Sequence, residues 1–209
     1  MAGRDPVVYV VDDDEAMRHS LSWLMKSVGL NCRTFDSVQP FLDACRPEDP
    51  GCLILDVRMP GTTGLALLDS LRERNIALPV IVVSGHADVY TAVRAMKAGA
   101  IDFLEKPFSQ QQLIELVQKA LAQDAERRYQ QAECEECLAL LESLTDRERA
   151  VMEKLVAGGL NKTIAADLGI SQKTVEAYRA RLMEKLGAKS PADVVRIYLA
   201  ASQLRTQRQ

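Results

Sequence analysis

Long apolar runs are absent from this sequence: no stretch approaches the roughly 20 apolar residues that a transmembrane helix needs. The N-terminal stretch MAGRDPVVYVV also lacks the pattern of a signal peptide, because its short apolar run is followed at once by acidic residues. We therefore expect a cytoplasmic protein with no membrane partner. A chain of 209 residues is long enough for one large domain or two modest ones, each able to bury a core.

Cysteine is scarce and lacks the spacing of a structural framework. The five cysteines form an odd number without the paired spacing of disulfide or zinc scaffolds. The closest pair, Cys134 and Cys137 in CEEC, lies in a polar, helix-like stretch and has no second pair to complete a metal site. We expect reduced thiols, with a redox or metal role for this pair as the alternative.

Charge is distributed unevenly along the chain. The first 143 residues hold 14 Lys and Arg against 22 Asp and Glu, a net charge of -8. The remaining residues hold 12 against 7, a net charge of +5. This asymmetry indicates two modules with different partners, and a polyanion is the candidate partner of the second.

The first module alternates short apolar runs with amphipathic segments. The runs predict strands at 7–11, 31–35, 52–57, 78–84 and 100–107. Helical periodicity predicts helices at 15–28, 37–45, 64–74, 88–98 and 109–123, with Ser37 as a candidate N-cap. Three of the runs are continuously apolar, which is typical of parallel strands covered on both faces. Five such units predict an α/β domain with a doubly wound five-stranded parallel sheet over residues 5–122.

The rest of the chain shows helical patterns and no strand signal. Residues 123–143 are polar and helix-prone without a sustained heptad, so we expect a helical linker that continues the preceding helix. Four helix-sized segments follow, separated by Gly, Asn, Ser and Pro. Residues 144–204 therefore predict a small all-α domain.

An acidic cluster directly follows the first predicted strand. The stretch VVYVVDDDE packs Asp12, Asp13, Asp14 and Glu15 together, which costs free energy unless a positive charge lies among them. Mg²⁺ and Ca²⁺ accept an all-oxygen shell of this kind. The alternative is a helix N-terminus, where Asp14 and Glu15 would face the positive end of the helix dipole.

Other polar residues also follow predicted strands. In open α/β sheets, binding sites form at the carboxyl ends of the strands, where the strand order reverses. Asp56 ends the third predicted strand, Ser84 the fourth, and Lys106 precedes Pro107 at the end of the fifth. With Asp12 and Asp13 they would form one site, in which Mg²⁺ relieves the repulsion and Lys106 offers a fixed positive charge to a phosphoryl group.

Four separated motifs, VVDDD, LILDVRMPGTTG, VVSGHAD and AMKAGAIDFLEKPF, resemble the receiver domain of two-component response regulators, a flavodoxin-like fold. The resemblance implies that Asp56 accepts a phosphoryl group, and that Asp13, Asp12 and the Arg58 carbonyl join it in binding Mg²⁺. It further implies that Ser84 and Lys106 hold phosphoryl oxygens and that Lys106-Pro107 is cis. Ser84 and Phe103 would couple phosphorylation to the surface formed by the fourth helix, fifth strand and fifth helix.

The fourth predicted helix carries Val89, Val93 and Met96 at helical spacing. The charged Arg94, Lys97, Asp102 and Glu105 lie nearby in sequence, and a mixed apolar and charged surface of this kind suits a symmetric homodimer. The resemblance to receiver domains implies that phosphorylation favours this homodimer. The alternative is that the apolar residues only cover the sheet and the charges are solvated.

The all-α module reads as a helix-turn-helix. Thr145 and Glu148 predict a capping box, Gly169 ends a short helix, and Ser171 caps the recognition helix. Ile164, Leu168, Ile170, Val175, Leu182 and Leu186 would face inward. The fourth helix, after Pro191, would either pair two such domains or pack within one.

The motif NKTIAADLGISQKTVEAYRA resembles the output domain of LuxR-type regulators, and the two modules together resemble the NarL/FixJ group, on the FixJ side. By this resemblance Glu176, Ala177, Arg179 and Ala180 face bases, and Asn161, Lys162, Lys173, Thr174, Arg181 and Lys185 face phosphates. For each Lys or Arg singly, a solvated helix face is the alternative.

We therefore expect a transcription factor that is phosphorylated by a sensor histidine kinase, dimerises and activates promoters with RNA polymerase. Its only catalysis would be its own phosphorylation and dephosphorylation. One alternative is a phosphatase-type enzyme, which would want a second acid where Arg58 stands. Another is a receiver whose helical tail binds proteins rather than DNA.

Overall fold

The computed structural model describes residues 4–59, 64–85 and 89–207. The strands in these residues are β1 (Val7–Val11), β2 (Asn31–Phe35), β3 (Gly51–Asp56), β4 (Val80–Ser84) and β5 (Asp102–Glu105). They form one parallel sheet in the order β2-β1-β3-β4-β5. The predicted doubly wound five-stranded parallel sheet is confirmed, and the strand order reverses between β1 and β3.

The helices of the first module alternate with these strands. They are α1 (Glu15–Ser27), α2 (Val38–Ala44), α3 (Gly64–Glu73), α4 (Val89–Lys97) and α5 (Gln110–Glu142). Ser37 occupies the N-cap position of α2, but its hydroxyl donates to the Asp36 carboxylate instead of capping the helix. The predicted start of the fourth helix at Asp88 lies outside the described residues.

Strand β1 shows why a central strand of this sheet is apolar at every position. Val8 and Val10 pack into one core with α1 and α5, whereas Tyr9 and Val11 pack into another with α2 and α3. Successive side chains of a strand point to opposite faces, so a sheet covered on both sides buries every position. Each fully buried apolar side chain contributes about 1.5–3 kcal/mol to folding before the entropy cost is counted.

Edge position explains the weaker second run. Strand β2 pairs only with β1, and the residues from Asn31 to Phe35 are exposed or half-buried. In contrast, all residues of the central strands β3 and β4 are buried. The central strands are therefore buried on both faces, and their sequences are the most continuously apolar.

The C-terminal helices are α6 (Asp146–Val156), α7 (Asn161–Leu168), α8 (Gln172–Lys185) and α9 (Pro191–Gln207). Val151, Ile164, Val175 and Leu182 are completely buried and form the centre of their shared core. The predicted capping box of Thr145 and Glu148 is present, and the Ser171 side chain caps α8. Gly169 ends α7 in the left-handed conformation, with φ of 65°.

Helix α5 is one continuous helix through the segment expected to be a linker. The chain divides into two compact units after Arg127. Before the division, the buried Asp124 carboxylate accepts a hydrogen bond of 2.9 Å from the Gly51 backbone N–H. After it, Cys137 and Leu141 pack into the core of the C-terminal unit. Each half of the segment thus belongs to the unit on its own side.

Within the described ranges, every helix is too short or too polar to cross a membrane.

Candidate functional site

Three carboxylates meet at the carboxyl edge of the sheet. Asp12 follows β1 and Asp56 ends β3, and both are almost completely buried, whereas Asp13 is exposed. Each of the three places a carboxylate oxygen within 4.8 Å of the other two. The parallel sheet brings them together because neighbouring strands end at the same edge.

Lys106 lies among these acids. Its Nζ donates to Asp12 Oδ2 at 2.7 Å and to Asp56 Oδ2 at 2.6 Å. The Lys106-Pro107 peptide bond is cis, as expected. One ammonium group therefore balances two buried carboxylates, which leaves the site with an excess of negative charge that a divalent cation would relieve.

Backbone groups fix the orientation of the buried acids. The Arg58 N–H donates to Asp56 Oδ1 and the Asp14 N–H donates to Asp12 Oδ1, each at 2.9 Å. Arg18 Nη1 donates to the carbonyls of Asp12 and Asp13, at 2.8 and 2.9 Å. Arg18 was not predicted from the sequence, although its place in the first turns of α1 puts a long basic side chain close to the loop.

Asp14 has a different role from its two neighbours. Its side chain accepts hydrogen bonds from the backbone N–H groups of Ala16 and Met17, at 2.9 and 3.4 Å, and so caps α1. Asp14 therefore caps a helix, which agrees with the alternative interpretation of the acidic cluster as a helix N-terminus. Asp12 and Asp13 stay available as cation ligands.

Burial and pairing set the protonation of the site. Burial raises the pKa of the Asp12 carboxyl above its ordinary value, and the hydrogen bond from Lys106 offsets only part of this effect. Burial also lowers the pKa of Lys106, but the hydrogen bonds and charges of Asp12 and Asp56 outweigh it, so that pKa is raised. Lys106 therefore stays a cation at neutral pH.

Ser84 and Phe103 lie on neighbouring strands. Ser84 is completely buried at the end of β4, and its carbonyl accepts a 2.8 Å hydrogen bond from the Lys106 N–H. Phe103 pairs with Val82 in the sheet register and packs, half-buried, against the core on the α2 and α3 side. The structure therefore brings Ser84 to the acidic edge and places Phe103 farther from it.

An open cavity of about 600 Å³ adjoins the acids. Asp13 and Arg58 line its acidic side, and Thr91 and Arg94 of α4 line the other. Its volume falls within the range of roughly 300–1,000 Å³ that is usual for small-molecule sites. The exposed side of the cluster therefore faces a cavity of small-molecule size.

Helices α7 and α8 carry the predicted nucleic-acid contacts. Most are solvent-exposed on these helices: Lys162, Lys173, Glu176, Ala177, Ala180, Arg181 and Lys185. Asn161, Thr174 and Arg179 are half-buried. The Arg179 guanidinium donates to the Asn161 side chain, and the Thr174 N–H donates to Ser171 Oγ in the helix cap.

Lys185 has partners that the helical pattern did not indicate. Its Nζ donates to Glu148 Oε2 at 2.7 Å and to the Ser143 carbonyl at 3.3 Å. Glu148 is only 4% exposed, and the same carboxylate accepts from the Thr145 N–H at 2.9 Å. The hydrogen bond from Lys185, followed by that from Thr145, lowers the pKa of Glu148 to about 2. The Lys185 ammonium thus pairs with a buried carboxylate while its side chain stays 38% exposed.

The fold and the acidic edge define a receiver-type domain joined to a helix-turn-helix domain, and comparison with known proteins agrees. Residues 8–118 match the family described as "Response regulator receiver domain". Residues 142–198 match "Bacterial regulatory proteins, luxR family".

Relatives match over nearly the whole chain. The transcriptional regulatory protein FixJ of Azorhizobium caulinodans is 49% identical, with 93% of this chain and 92% of the relative covered. TdiR of Thauera aromatica is 44% identical, with 96% and 88% covered. The structure of the response regulator StyR matches with a TM-score of 0.85 at 41% identity, covering 93% of this chain and 98% of that one.

Full-length FixJ from B. japonicum matches with a TM-score of 0.58 at 42% identity, covering 95% of this chain and 98% of that one. The chain therefore belongs to the NarL/FixJ-type two-component response regulators, with a receiver domain and a LuxR-type DNA-binding domain. These are transcription factors rather than classical enzymes. Receiver domains act with a histidine kinase and generally bind Mg²⁺, and the cluster of Asp12, Asp13 and Asp56 fits such an ion.

Proposed function

We propose that Asp56 accepts a phosphoryl group from a partner histidine kinase and that this controls transcription. The observation that supports the proposal best is the setting of Asp56. It is a buried carboxylate at the carboxyl edge of the sheet, 2.6 Å from Lys106 and beside two further acids. Packing alone does not explain a buried acid that lies beside a lysine and two further acids.

In the transfer step, an Asp56 carboxylate oxygen attacks the phosphorus of a phosphohistidine. A P–O bond forms as the P–N bond breaks, and the electron pair stays on the imidazole nitrogen. Lys106 moves its ammonium from the Asp56 carboxylate to a phosphoryl oxygen, and the Ser84 hydroxyl donates to another. The chain's own contribution is thus to fix the nucleophile and to offset charge that develops on the phosphoryl oxygens.

Asp12, Asp13, Asp56 and the Arg58 carbonyl would hold the Mg²⁺. This donor set consists of hard oxygens, as Mg²⁺ requires, and two of its three carboxylates are buried. The ion supplies positive charge that lets a phosphoryl dianion approach an acidic site.

Incubation with a small-molecule phosphodonor tests the proposal. We expect labelling of the wild type in the presence of Mg²⁺, and its loss in Asp56→Asn or on addition of EDTA. Asp69→Asn, which removes an exposed acid on α3, is the control and should be labelled like the wild type. Labelling of Asp56→Asn at the wild-type level would show that the acceptor lies elsewhere.

We further propose that phosphorylation promotes dimerisation through the surface of α4. Val89 is 80% exposed and Tyr90 is 70% exposed, and Val93 and Met96 are also exposed. This exposure supports an interface over the alternative, in which these side chains only cover the sheet. Contiguous exposed apolar residues of this kind are typical of protein interfaces. Movement of Ser84 and Phe103 would couple the phosphoryl group to this surface.

The C-terminal unit is proposed to bind promoter DNA through α8, with its exposed residues in the major groove. In this proposal the exposed Lys162, Lys173 and Arg181 contact phosphates, and the half-buried Arg179 contacts a base edge. Lys185 is also proposed to contact phosphate, and its ammonium pairs with the buried Glu148 when DNA is absent. Binding of two units at paired half-sites would recruit RNA polymerase and activate transcription.

A further inference from the structure

A second cavity lies at the edge of the sheet opposite to the acidic cluster. It has a volume of about 350 Å³ and is formed where α3 and α4 end and β4 and β5 begin. Leu71, Ile76, Leu78 and Ile101 provide aliphatic walls. Small-molecule sites have volumes of roughly 300–1,000 Å³ and mostly apolar walls with a few polar groups. This cavity meets both criteria, and the proposed function does not use it.

Arg127 gives the cavity a fixed hydrogen-bond donor. Its Nη2 donates to Asp124 Oδ1 at 2.6 Å, and the other oxygen of Asp124 accepts from the Gly51 N–H. The guanidinium group is therefore held in place from one side. Its Nε is buried and has no hydrogen-bond partner within the described part of the chain. A buried donor of this kind requires an acceptor such as an ion, a water or a ligand.

Arg72 gives the cavity a second guanidinium group. It comes from the last turn of α3 and lies against Gly99, where an added Cβ would stand only 2.8 Å from Arg72 Nη2. The absence of a side chain at Gly99, whose φ is +98°, leaves room for this guanidinium group. Among the described residues that line the cavity, none is Asp or Glu. The cavity wall thus joins two guanidinium groups to aliphatic surface, and Asp124, the acid paired with Arg127, is not among the lining residues.

We propose that this cavity, of about 350 Å³, binds a small aliphatic monocarboxylate such as hexanoate. Its carboxylate pairs with the guanidinium groups of Arg127 and Arg72, and its alkyl chain packs against Leu71, Ile76 and Ile101. Charge-assisted hydrogen bonds from the guanidinium groups favour a carboxylate over a neutral group. The aliphatic walls favour an alkyl chain over a polar one.

Titration of hexanoate into the isotope-labelled full-length protein tests the proposal by NMR. We expect saturable shifts of the Gly99 and Ile101 amides. Arg72→Gln and Arg127→Lys should each weaken binding about tenfold, the loss of a strong hydrogen bond. Lysine keeps a cation beside Asp124 but has no Nε–H. Arg74→Gln is the matched control, because it removes the same charge two residues after Arg72. The Arg74 side chain does not line the cavity and donates instead to the Leu42 carbonyl.

Measurements on the unmodified protein keep the test independent of any effect of the variants on folding. Hexanol and inorganic phosphate should each bind at least about tenfold more weakly than hexanoate, because each lacks one of the two recognised features. The proposal is overturned if hexanoate gives no saturable shifts, or if hexanol or phosphate binds as well. Equal weakening by Arg74→Gln would also overturn it, because the effect would then be one of general charge.

Discussion

At the scale of single residues, Glu148 shows how one side chain joins several parts of a small domain. Its carboxylate accepts from the Thr145 backbone at the start of α6 and from Lys185 at the end of α8. Removing such a carboxylate breaks one of the two hydrogen bonds of the capping box of α6 and takes away the charged partner of Lys185.

The pKa of Glu148 gives this contact a defined pH dependence. Its value of about 2 lies below the ordinary value of 4.5. Because the folded-state pKa is depressed, the stabilisation is fully present above pH 4.5 and is lost as the pH falls towards 2.

We predict that Glu148→Gln destabilises the C-terminal unit by about 1–2 kcal/mol at neutral pH, a value kept low because the Lys185 side chain is partly exposed. The difference from the wild type should shrink at about pH 3.5. Hydrogen exchange of the α6 and α8 amides measures this difference in stability at both pH values. Glu153→Gln, at an exposed position on α6, should behave like the wild type at both pH values.

Fluorescence of Trp23, the one tryptophan of the chain, reports on the receiver unit and should be unchanged. A difference between Glu148→Gln and the wild type that does not vary with pH would contradict the assigned role of the carboxylate.

At the scale of elements, the recognition helix α8 carries two kinds of predicted contact. Lys173 is exposed near its N-terminus, and Arg179 lies one to two turns farther on, bonded to Asn161 of α7. We predict that Lys173→Ala weakens binding to all DNA sequences and reduces the salt slope by about one unit. Fluorescence anisotropy against duplexes at several salt concentrations measures both quantities.

For Arg179→Ala we predict a cost of about 1–3 kcal/mol at the operator and relaxed preference at one base-pair position. Anisotropy with single-position operator variants measures this. Lys154→Ala, on α6, serves as the control for loss of positive charge within the same unit. If neither recognition-helix substitution alters operator affinity, the helix is wrongly assigned; a salt slope near zero would favour a domain that binds proteins.

Helix α4 makes a separate prediction about assembly. Val89→Asp should prevent the rise in mass on phosphorylation that we expect in sedimentation experiments, because it places a charge within the apolar surface of a symmetric pair. Trp23→Asp is the control, since it changes a similarly exposed apolar side chain on α1. A mass that stays monomeric in the phosphorylated wild type would refute the proposed dimer.

How well each element could be predicted depended on its burial. The central runs at β3 and β4 were predicted to within two residues, because burial on both faces leaves a continuous apolar signature. The partner of Lys185 could not be predicted from the sequence. A helical pattern shows that a side chain is polar, but it cannot reveal that Glu148, 37 residues earlier, is its partner. The partners of Arg179 and Arg18 were missed for the same reason.

At the scale of the whole molecule, the charge asymmetry of the sequence is smaller but persists between the two compact units: residues 1–127 carry a net charge of -5 and residues 128–209 a net charge of +2. The acidic site could be predicted from the sequence because the parallel sheet brings the ends of separate strands together. The continuity of α5 through residues 123–143 was anticipated, but the packing of Cys137 and Leu141 into the second core depends on long-range contacts that local periodicity does not record.

The central claim is that phosphorylation of Asp56 controls DNA binding by the other unit. The most direct measurement is the affinity of the full-length protein for promoter DNA at fixed salt, with and without a phosphodonor and Mg²⁺. We predict that the wild type gains about tenfold or more in affinity, as an allosteric coupling of one to a few kcal/mol would give, and that Asp56→Asn gains nothing. An equal gain in Asp56→Asn, or an affinity of the labelled wild type that does not change, would contradict the account.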